Sequence, residues 1–382
     1  MKVGKKEILT IAVVAVVLSM AYTWVVYPSE EDSLEFTGEV IGLSSYNQPK
    51  LDLSAQEIFD SGLKLGSEFT IITVNDTYTG AIMLESYLGI LMFDIFVNVE
   101  DDGLVSIGCV GMLINADEGS EVKLVHTGES QRYKNTPDYN VQYSNDVHDF
   151  PSEEVFANFY EVTGGNIAPG VLYRSFSSLS DPAKQARVPY VNQLADEYGI
   201  KYLVALSFSD ASVQSAISKY SGYCIDLCKD GKYVAPNMGY LYFQQKEKTI
   251  QTLESIIDND GPYLVHCNVG RDRTGFVILL LQALCGCSPE EMMECEARAF
   301  CNLYNIEPGS KEYFVIINGT YDRNMYLIAN YDEIDNILNM DWSKIDVSKV
   351  DTQKAAYQYC TDYLGLSSEQ IEKLLERLTV MG

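Results

Sequence analysis

The sequence predicts an α/β domain, a central mostly parallel sheet flanked by helices, preceded by a small mainly-β domain and an N-terminal hydrophobic helix. Three observations lead to this fold class. From about residue 150 onward, strand-like and helix-like segments alternate, which is typical of a parallel sheet with crossover helices. Residues 35–148 instead hold short β-branched runs separated by Gly and Asp turns. An apolar run extends from Ile8 to Tyr27. We therefore expect three segments, at 1–28, 35–148 and 150–382.

Periodicity and capping residues predict the elements of the α/β part. One helix is expected over about 183–199, and it leads into a strand at 201–207. A second helix, over about 244–258, has apolar residues at helical spacing and runs into a further strand. Ser288-Pro289-Glu290-Glu291 predicts a helix start, with serine as N-cap, proline in the first turn and glutamate three residues on. A C-terminal helix is expected from Ser368 through Leu378.

The mainly-β part is predicted from short runs with β-branched residues and turn signals. A helix is expected to begin at a cap at Ser54, and the polar stretch 127–146 is predicted to be the linker. No catalytic constellation is recognisable in this part, so binding or spacing is its expected role. The strand-like runs lie at 68–74, 89–93, 105–110 and 122–125.

The N-terminus has the features of a targeting segment. Three lysines within the first six residues precede the apolar run Ile8–Tyr27, which is long enough to span a bilayer. Ser19-Met20-Ala21 also fits a signal-peptide cleavage site. Continued apolar residues through Val26 favour an uncleaved anchor. Both alternatives predict an extracellular or cell-surface protein, membrane-anchored or secreted, with the lysines inside.

The most informative motif is His266-Cys267-Asn268-Val269-Gly270-Arg271-Asp272-Arg273-Thr274, which lies between two apolar runs. A strand, a tight loop and a buried helix would place Cys267 in a ring of backbone N–H groups at a helix N-terminus, where the dipole favours an anion. The planar fork of Arg273 can bind two phosphate oxygens. Gly270 lets the loop turn without a Cβ clash. The pattern favours a site for a phosphoryl group, and the alternative is a buried cysteine beside a structural arginine.

The order Cys, five residues, Arg, Thr resembles the motif of the cysteine-dependent protein tyrosine phosphatase superfamily. Cys267 would then be the nucleophile, activated as a thiolate, and would form a phosphocysteine. His266 would orient the cysteine, and the Thr274 hydroxyl would stabilise the thiolate as it leaves. No metal or other cofactor is expected, since Arg273, the N–H ring and the helix end supply the charge stabilisation. Phosphate binding is assigned to Asn268, Val269, Gly270 and Arg271.

The leaving oxygen needs a proton, which a carboxylic acid normally supplies. Many members of the superfamily carry this Asp on a separate loop, but the matching region 233–240 contains no carboxylate. Asp226 and Asp230 lie nearby without the usual surroundings. Asp272 is therefore the candidate acid. An Asp just before the Arg resembles myotubularin-like lipid phosphatases and secreted bacterial tyrosine phosphatases, which usually have Lys where this chain has Arg271. The alternative is an ion pair in which Asp272 positions a neighbouring arginine.

Upstream segments carry a second resemblance to the bacterial phosphatases with Asp inside the loop. Residues 155–160, 164–166 and 171–175 are similar to their entry segment, in which a Tyr-Arg-Ser piece packs beside the catalytic loop. That family often continues with a strand ending Asp-Leu-Arg, whereas this chain has the sequence Leu-Val-Ala-Leu-Ser-Phe at 203–208. The departure removes one basic group from the substrate side. The resemblance covers about residues 150–330.

The net charge and the cysteine and histidine positions limit the binding partners, disulfides and metal sites that we expect. The net charge is −27, from 54 acidic and 27 basic residues, which argues against nucleic acid or an anionic membrane surface as a general partner. Apart from Cys267, eight cysteines remain, and an oxidising exterior would allow them to pair, for example Cys224 with Cys228. A zinc site needs ligand clusters, and His126 and His148 are far from such a spacing.

Three functions follow, in order of preference. The first is a phosphatase acting on phosphate monoesters, most of all phosphotyrosine, with a phosphorylated protein or small phosphomonoester as the partner. The second is a phosphoinositide or inositol phosphate phosphatase, in which Arg271 binds a second phosphate. The third is a non-catalytic phosphate-binding surface protein, and the intact set of Cys267, Asp272 and Arg273 argues against it.

Overall fold

The computed structural model describes residues 34–44, 48–85, 93–110, 113–130, 143–239, 241–310, 313, 320–339 and 345–379. The predicted N-terminal segment at 1–28 and most of the predicted strand at 89–93 lie outside these ranges. No helix within them is long and apolar enough to cross a membrane. The described chain divides into two compact units. The first comprises 34–85, 97–107 and 115–130, and the second comprises 93–96, 108–114 and 143–379 with the gaps given above.

The N-terminal region forms a closed barrel of seven strands in the order β1-β2-β6-β5-β4-β3-β7. Alternate residues of β1 point inward, as expected of a strand with one buried face. The predicted helix at Ser54 is confirmed as α1 (Ala55–Asp60), with the serine side chain accepting from the amide of Gln56. The strands are β1 (Glu35–Leu43), β2 (Pro49–Ser54), β3 (Ser67–Ile72), β4 (Thr77–Leu84), β5 (Ile95–Val99), β6 (Leu104–Cys109) and β7 (Glu121–Glu129).

The second unit contains a five-stranded sheet in the order β11-β10-β12-β9-β8. Four strands are parallel and β8 is antiparallel to β9, so the mixed α/β architecture predicted for this part is confirmed. Val265 and Leu264, neighbours on β12, belong to two different buried clusters, because successive side chains of a strand face opposite sides. The strands are β8 (Tyr160–Glu161), β9 (Leu172–Ser175), β10 (Tyr202–Ala205), β11 (Tyr233–Val234) and β12 (Tyr263–His266).

Helices cover both faces of this sheet. The predicted start at Ser288 is confirmed as a capping box, in which Ser288 and Glu291 satisfy each other's backbone amides. The helix predicted from residue 183 begins instead at Val188, because Pro189 in its first turn fixes the backbone there. The α-helices are α2 (Glu153–Phe156), α3 (Val188–Glu197), α4 (Asp210–Lys219), α5 (Tyr223–Lys229), α6 (Lys246–Asp258), α7 (Asp272–Leu284), α8 (Pro289–Tyr304), α9 (Thr320–Ala329), α10 (Thr352–Gln358) and α11 (Ser368–Leu378).

The strand β12 and the helix α7 form the centre of the second unit. All four residues of β12 are buried, and β12 pairs with β10 on one side and β9 on the other. Every residue of α7 from Thr274 to Leu284 is buried, which explains why its sequence is apolar on all sides. The loop that joins the two elements is therefore anchored at both ends in the most buried part of the unit.

Candidate functional site

The joining loop lies at the carboxyl edge of the parallel strands, where open α/β sheets bind ligands. Cys267 follows β12 directly and is 1 % exposed. The loop ends at Asp272, the first residue of α7. The strand, loop and helix predicted around Cys267 are therefore present.

Five successive carbonyls of this loop, those of residues 267–271, are held by donors from the surrounding protein. The bonds are His266 Nδ1 to Cys267 O (3.1 Å), Ser177 N to Asn268 O (3.2 Å), Asn158 Nδ2 to Val269 O (3.2 Å), and Arg174 Nη2 to Gly270 O (2.9 Å) and Arg271 O (3.4 Å). In a trans peptide the N–H points away from the preceding carbonyl. The amides of 268–272 are thus turned away from these donors, and none donates to another group in the described ranges.

Gly270 has to be glycine for two reasons. Its φ is +72°, in the left-handed region that favours glycine. A Cβ at this position would also lie 2.1 Å from the Ser175 carbonyl oxygen at the end of β9. The loop therefore approaches β9 more closely than any side chain would allow.

Arg273 extends from the first turn of α7 toward the segment that follows β11. Its Nη1 donates to the carbonyl of Met238 at 2.9 Å. The amide of Met238 in turn donates to Leu206, after β10, so the guanidinium is fixed to the same sheet edge as the loop.

The pKa of Cys267 is lowered from its usual range. Burial alone would raise it, but the positive charge of Arg273 and the hydroxyl and amide of Thr274 outweigh burial. The Thr274 hydroxyl is buried and has no hydrogen-bond partner of its own among the described residues, so its proton is available to a thiolate. The thiolate of Cys267 therefore forms more readily than that of an ordinary cysteine.

The pKa values of the other eight cysteines are raised, in the direction opposite to that of Cys267. All nine are free and buried, so the pairing left open by the sequence, including Cys224 with Cys228, is not formed. Burial raises the pKa of Cys295 and brings that of Cys301 to about 11. Burial likewise raises the pKa to about 12 at Cys109, Cys224, Cys228, Cys285, Cys287 and Cys360.

We expect iodoacetamide to alkylate Cys267 before any other cysteine of the folded protein at pH 6–7. The reagent reacts with the thiolate, and a group with a lowered pKa is ionised at a pH where its neighbours are still protonated. Peptide mass spectrometry after a short exposure measures the modified site, with Cys285→Ser as a control that should not change the pattern. Uniform labelling of several cysteines would contradict the lowered pKa.

His266 contacts the backbone of Cys267. Because a carbonyl oxygen only accepts, the proton of the 3.1 Å contact with Cys267 O is on Nδ1, and Nε2 accepts from the Ser178 hydroxyl at 3.0 Å. Burial lowers the pKa of His266 to about 4 against the opposing effect of this backbone bond, so the ring is neutral at pH 7. His266 thus holds the peptide plane after Cys267, and its role in orienting the cysteine stays a prediction.

Asp272 lies at the start of α7 and is paired with its neighbour. Arg271 Nε donates to Asp272 Oδ1 at 2.9 Å, and Arg271 Nη1 donates to the Tyr304 hydroxyl at 2.6 Å. The Arg271 guanidinium also lies 4.9 Å from the ring centroid of Phe300. The second oxygen of Asp272 has no partner in the described part of the chain, so the ion pair and a proton-donating role are sterically compatible.

The two other acids considered from the sequence lie elsewhere. Asp226 is on α5 and pairs with Lys229, and Asp230 precedes β11 and pairs with Lys232. Cys267 follows the carboxyl end of β12, whereas Asp230 precedes the amino end of a strand parallel to β10. Neither acid is brought to the loop.

Three buried residues near the loop had no site role in the sequence-based prediction. Asn158 and Arg174 bond the loop carbonyls, and Glu296 on α8 pairs with Arg174. The expected packing of the Tyr-Arg-Ser segment beside the loop is confirmed by the Arg174 bonds. Besides that resemblance, the sequence signal for Arg174 is an arginine within an apolar strand, which is rarely buried without a specific partner.

The segment 203–208, which differs from the Asp-Leu-Arg strand end of the resembled family, contacts the loop through Ser207. Ser207, just after β10, donates from its hydroxyl to Asn268 Oδ1 at 2.8 Å. The bond fixes the exposed side chain of Asn268 at the rim of the loop. A neutral contact therefore occupies a position where the resembled family often has a basic residue.

Two other features of the described chain are separate from the loop. Within the described ranges, no three His, Cys, Asp or Glu side chains group closely enough to hold a metal ion. A cavity of about 710 Å³ is lined by residues such as Asp149, Val155, Arg298 and Tyr313. None of the loop residues lines this cavity.

Comparison with known families bears directly on this loop. A model of the tyrosine phosphatase family matches residues 228–295. The matched stretch runs from the end of α5 through β12, the loop and α7 into α8. The match supports a protein-tyrosine-phosphatase-like family, a phosphorylated substrate and phosphatase activity in general.

Whole-protein comparisons add little to this family match. No curated protein matches the chain. A crystal structure of an uncharacterized conserved protein from Thermotoga maritima matches with 11 % sequence identity and a TM-score of 0.22, over 24 % of this chain and 35 % of that one. The chain thus spans about a third of that protein's length, and so low a TM-score carries no functional argument.

Proposed function

We propose that this chain hydrolyses phosphate monoesters, phosphotyrosine above all, through a phosphocysteine intermediate. The observation that carries the proposal is a Cys267 whose pKa is lowered, set beside five loop amides that have no described protein acceptor. Backbone N–H groups at a helix N-terminus are suited to phosphate oxygens. In this proposal the amides of residues 268–272 and the fork of Arg273 bind the phosphoryl group.

The proposed reaction has two displacements at phosphorus. The Cys267 thiolate forms a bond to phosphorus while the bond to the ester oxygen breaks, and Asp272 gives its proton to that oxygen. Asp272, now a carboxylate, takes a proton from water as the water oxygen attacks phosphorus. The S–P bond breaks, orthophosphate leaves, and the Thr274 hydroxyl stabilises the returning thiolate. Arg273 and the amides stabilise the charge on the equatorial oxygens throughout.

Asp272→Asn is expected to slow hydrolysis of a phosphotyrosine peptide by about 10²–10⁴-fold, the usual contribution of general acid catalysis. Hydrolysis of p-nitrophenyl phosphate should slow far less in its first step, because nitrophenolate leaves without a proton. Burst-phase kinetics with both substrates measure the effect. Equal losses would support a purely structural ion pair between Asp272 and Arg271.

The inositol phosphate alternative depends on Arg271 binding a second phosphate. Its side chain is 14 % exposed, and its guanidinium is bound to Asp272 and Tyr304. This geometry favours a substrate with one phosphate. A panel of phosphotyrosine peptide, phosphoserine peptide and inositol phosphates tests the substrate class. We expect the phosphotyrosine peptide to have the highest kcat/KM, whereas faster hydrolysis of inositol phosphates would favour the alternative.

We further propose that the protein acts outside the cytoplasm, with 1–28 as anchor or signal peptide and the β-rich part at 35–148 as an accessory domain. The support is the sequence alone, three lysines followed by the apolar run Ile8–Tyr27. A membrane-impermeant amine label applied to intact cells should modify the protein. Protection of the protein until the cells are lysed would contradict this location.

A further inference from the structure

We propose that Glu296 is a positioning residue for the phosphate-binding loop and acts through Arg174. The loop is defined here as residues 267–271, and the relevance of the inference to turnover rests on the function proposed above. In this inference the charge of Glu296 fixes the Arg174 guanidinium, which fixes the carbonyls of Gly270 and Arg271. The peptide planes then set the directions of the amides of Arg271 and Asp272.

The two terminal nitrogens of the Arg174 guanidinium contact different elements, one the loop and the other α8. Its Nη2 donates to Gly270 O and Arg271 O, at 2.9 and 3.4 Å. Its Nη1 faces Glu296 Oε1 at 3.4 Å and Cys295 Sγ at 3.6 Å. The side chain is fully buried, with its guanidinium 5.5 Å from the centroid of the Tyr160 ring. A planar guanidinium cannot move toward one partner without changing its geometry to the others.

Glu296 is placed to hold this guanidinium from the side of α8. Its side chain is 2 % exposed, and a Cβ added to Gly275 on α7 would lie 2.6 Å from Glu296 Oε2. The carboxylate therefore fills the space between β9, α7 and α8, and the absence of a side chain at Gly275 makes room for it. Burial raises the pKa of Glu296 to about 6, and the charge of Arg174 opposes that shift and favours the ionised form.

Burying a carboxylate carries a desolvation cost that an apolar side chain would not have. The desolvation free energy of two buried charges is often as large as their electrostatic attraction. Apolar residues of similar volume therefore commonly stabilise a fold equally well. Removing one partner is different, since it leaves a buried charge unpaired. Loss of the Glu296 charge should therefore release Arg174 from its position and, with it, the two carbonyls that orient the loop.

The test compares Glu296→Gln with Glu294→Gln, the same change two residues earlier on α8 at an exposed position. Tungstate, a tetrahedral oxyanion, serves as the binding probe in calorimetry, and the pH midpoint of Cys267 alkylation serves as the second readout. We expect Glu296→Gln to weaken tungstate binding at least about tenfold and to raise the alkylation midpoint, since fewer amides would face the anion. Glu294→Gln should match the wild type in both readouts.

A lowered Tm with unchanged tungstate affinity and alkylation midpoint would overturn the inference, because a merely structural role predicts that result. If Glu296→Gln does not fold, Gly275→Ala carries the test, since the new methyl group displaces the carboxylate without removing its charge. Wild-type tungstate affinity in a folded Gly275→Ala would also overturn it. A wild-type protein that binds tungstate but hydrolyses no phosphate ester would refute the proposed function and leave this comparison intact.

Discussion

Replacing Cys267 with serine is expected to abolish phosphatase turnover, with a loss of kcat of roughly 10⁵–10⁶-fold, the size seen when a catalytic nucleophile is removed. A serine hydroxyl is not ionised near neutral pH, whereas the pKa of the Cys267 thiol is lowered by Arg273 and Thr274 against the effect of burial. The loop carbonyls would still be held by their donors. Steady-state kinetics with a phosphotyrosine peptide measures the loss.

The same variant should keep its affinity for tungstate, because the amides and Arg273 do not depend on the sulfur. Cys285→Ser is the matched control, since Cys285 is also buried but ends α7 far from the loop and has a pKa raised to about 12. This control should retain wild-type turnover. Substantial activity in Cys267→Ser would show that another group is the nucleophile.

Replacing Arg273 with lysine is expected to reduce kcat/KM by about 10²–10³-fold, the cost of losing one preorganised donor to a developing charge. Lysine keeps the charge but lacks the planar fork that matches two phosphate oxygens. It would also lose the geometry of the 2.9 Å bond to the Met238 carbonyl, which fixes the guanidinium at the sheet edge. The pKa of Cys267 should change much less than kcat/KM, because Arg273 lowers that pKa through its positive charge, which lysine keeps.

Arg298→Lys provides the comparison, since Arg298 is an exposed arginine on α8 that stacks on the Tyr160 ring. Kinetics with p-nitrophenyl phosphate and the pH dependence of alkylation follow both variants. We expect wild-type values for Arg298→Lys. Wild-type kcat/KM in Arg273→Lys would mean that bidentate binding by Arg273 contributes nothing to the reaction.

The sequence was sufficient for features that depend on neighbouring residues. The strand before Cys267, the buried helix after it and the capped start at Ser288 follow from apolar runs and capping chemistry within a few positions. The electrostatics of Cys267 also come from Arg273 and Thr274, which belong to the same motif. Local sequence therefore predicted the centre of the candidate site.

Contacts between distant segments could not be predicted in this way. Arg174 reaches Gly270 across 96 positions and Glu296 across 122, and Asn158 reaches Val269 across 111. No local pattern encodes which elements become neighbours in a sheet. The strands β1, β2, β4 and β5 lie outside the predicted runs, although Leu51 and Leu53 of β2 alternate with polar residues. Their pairing within the closed barrel joins segments that no short stretch of sequence identifies as neighbours.

Detection of the covalent intermediate tests the central claim most directly. Acid-quenched samples taken within milliseconds of mixing the wild-type enzyme or Asp272→Asn with p-nitrophenyl phosphate can be digested and examined by mass spectrometry. We predict a phosphoryl group on the sulfur of Cys267, in larger amount in Asp272→Asn, because the variant lacks the group that activates water for the second step. Turnover without any phosphorylated Cys267 peptide at these times would contradict the mechanism.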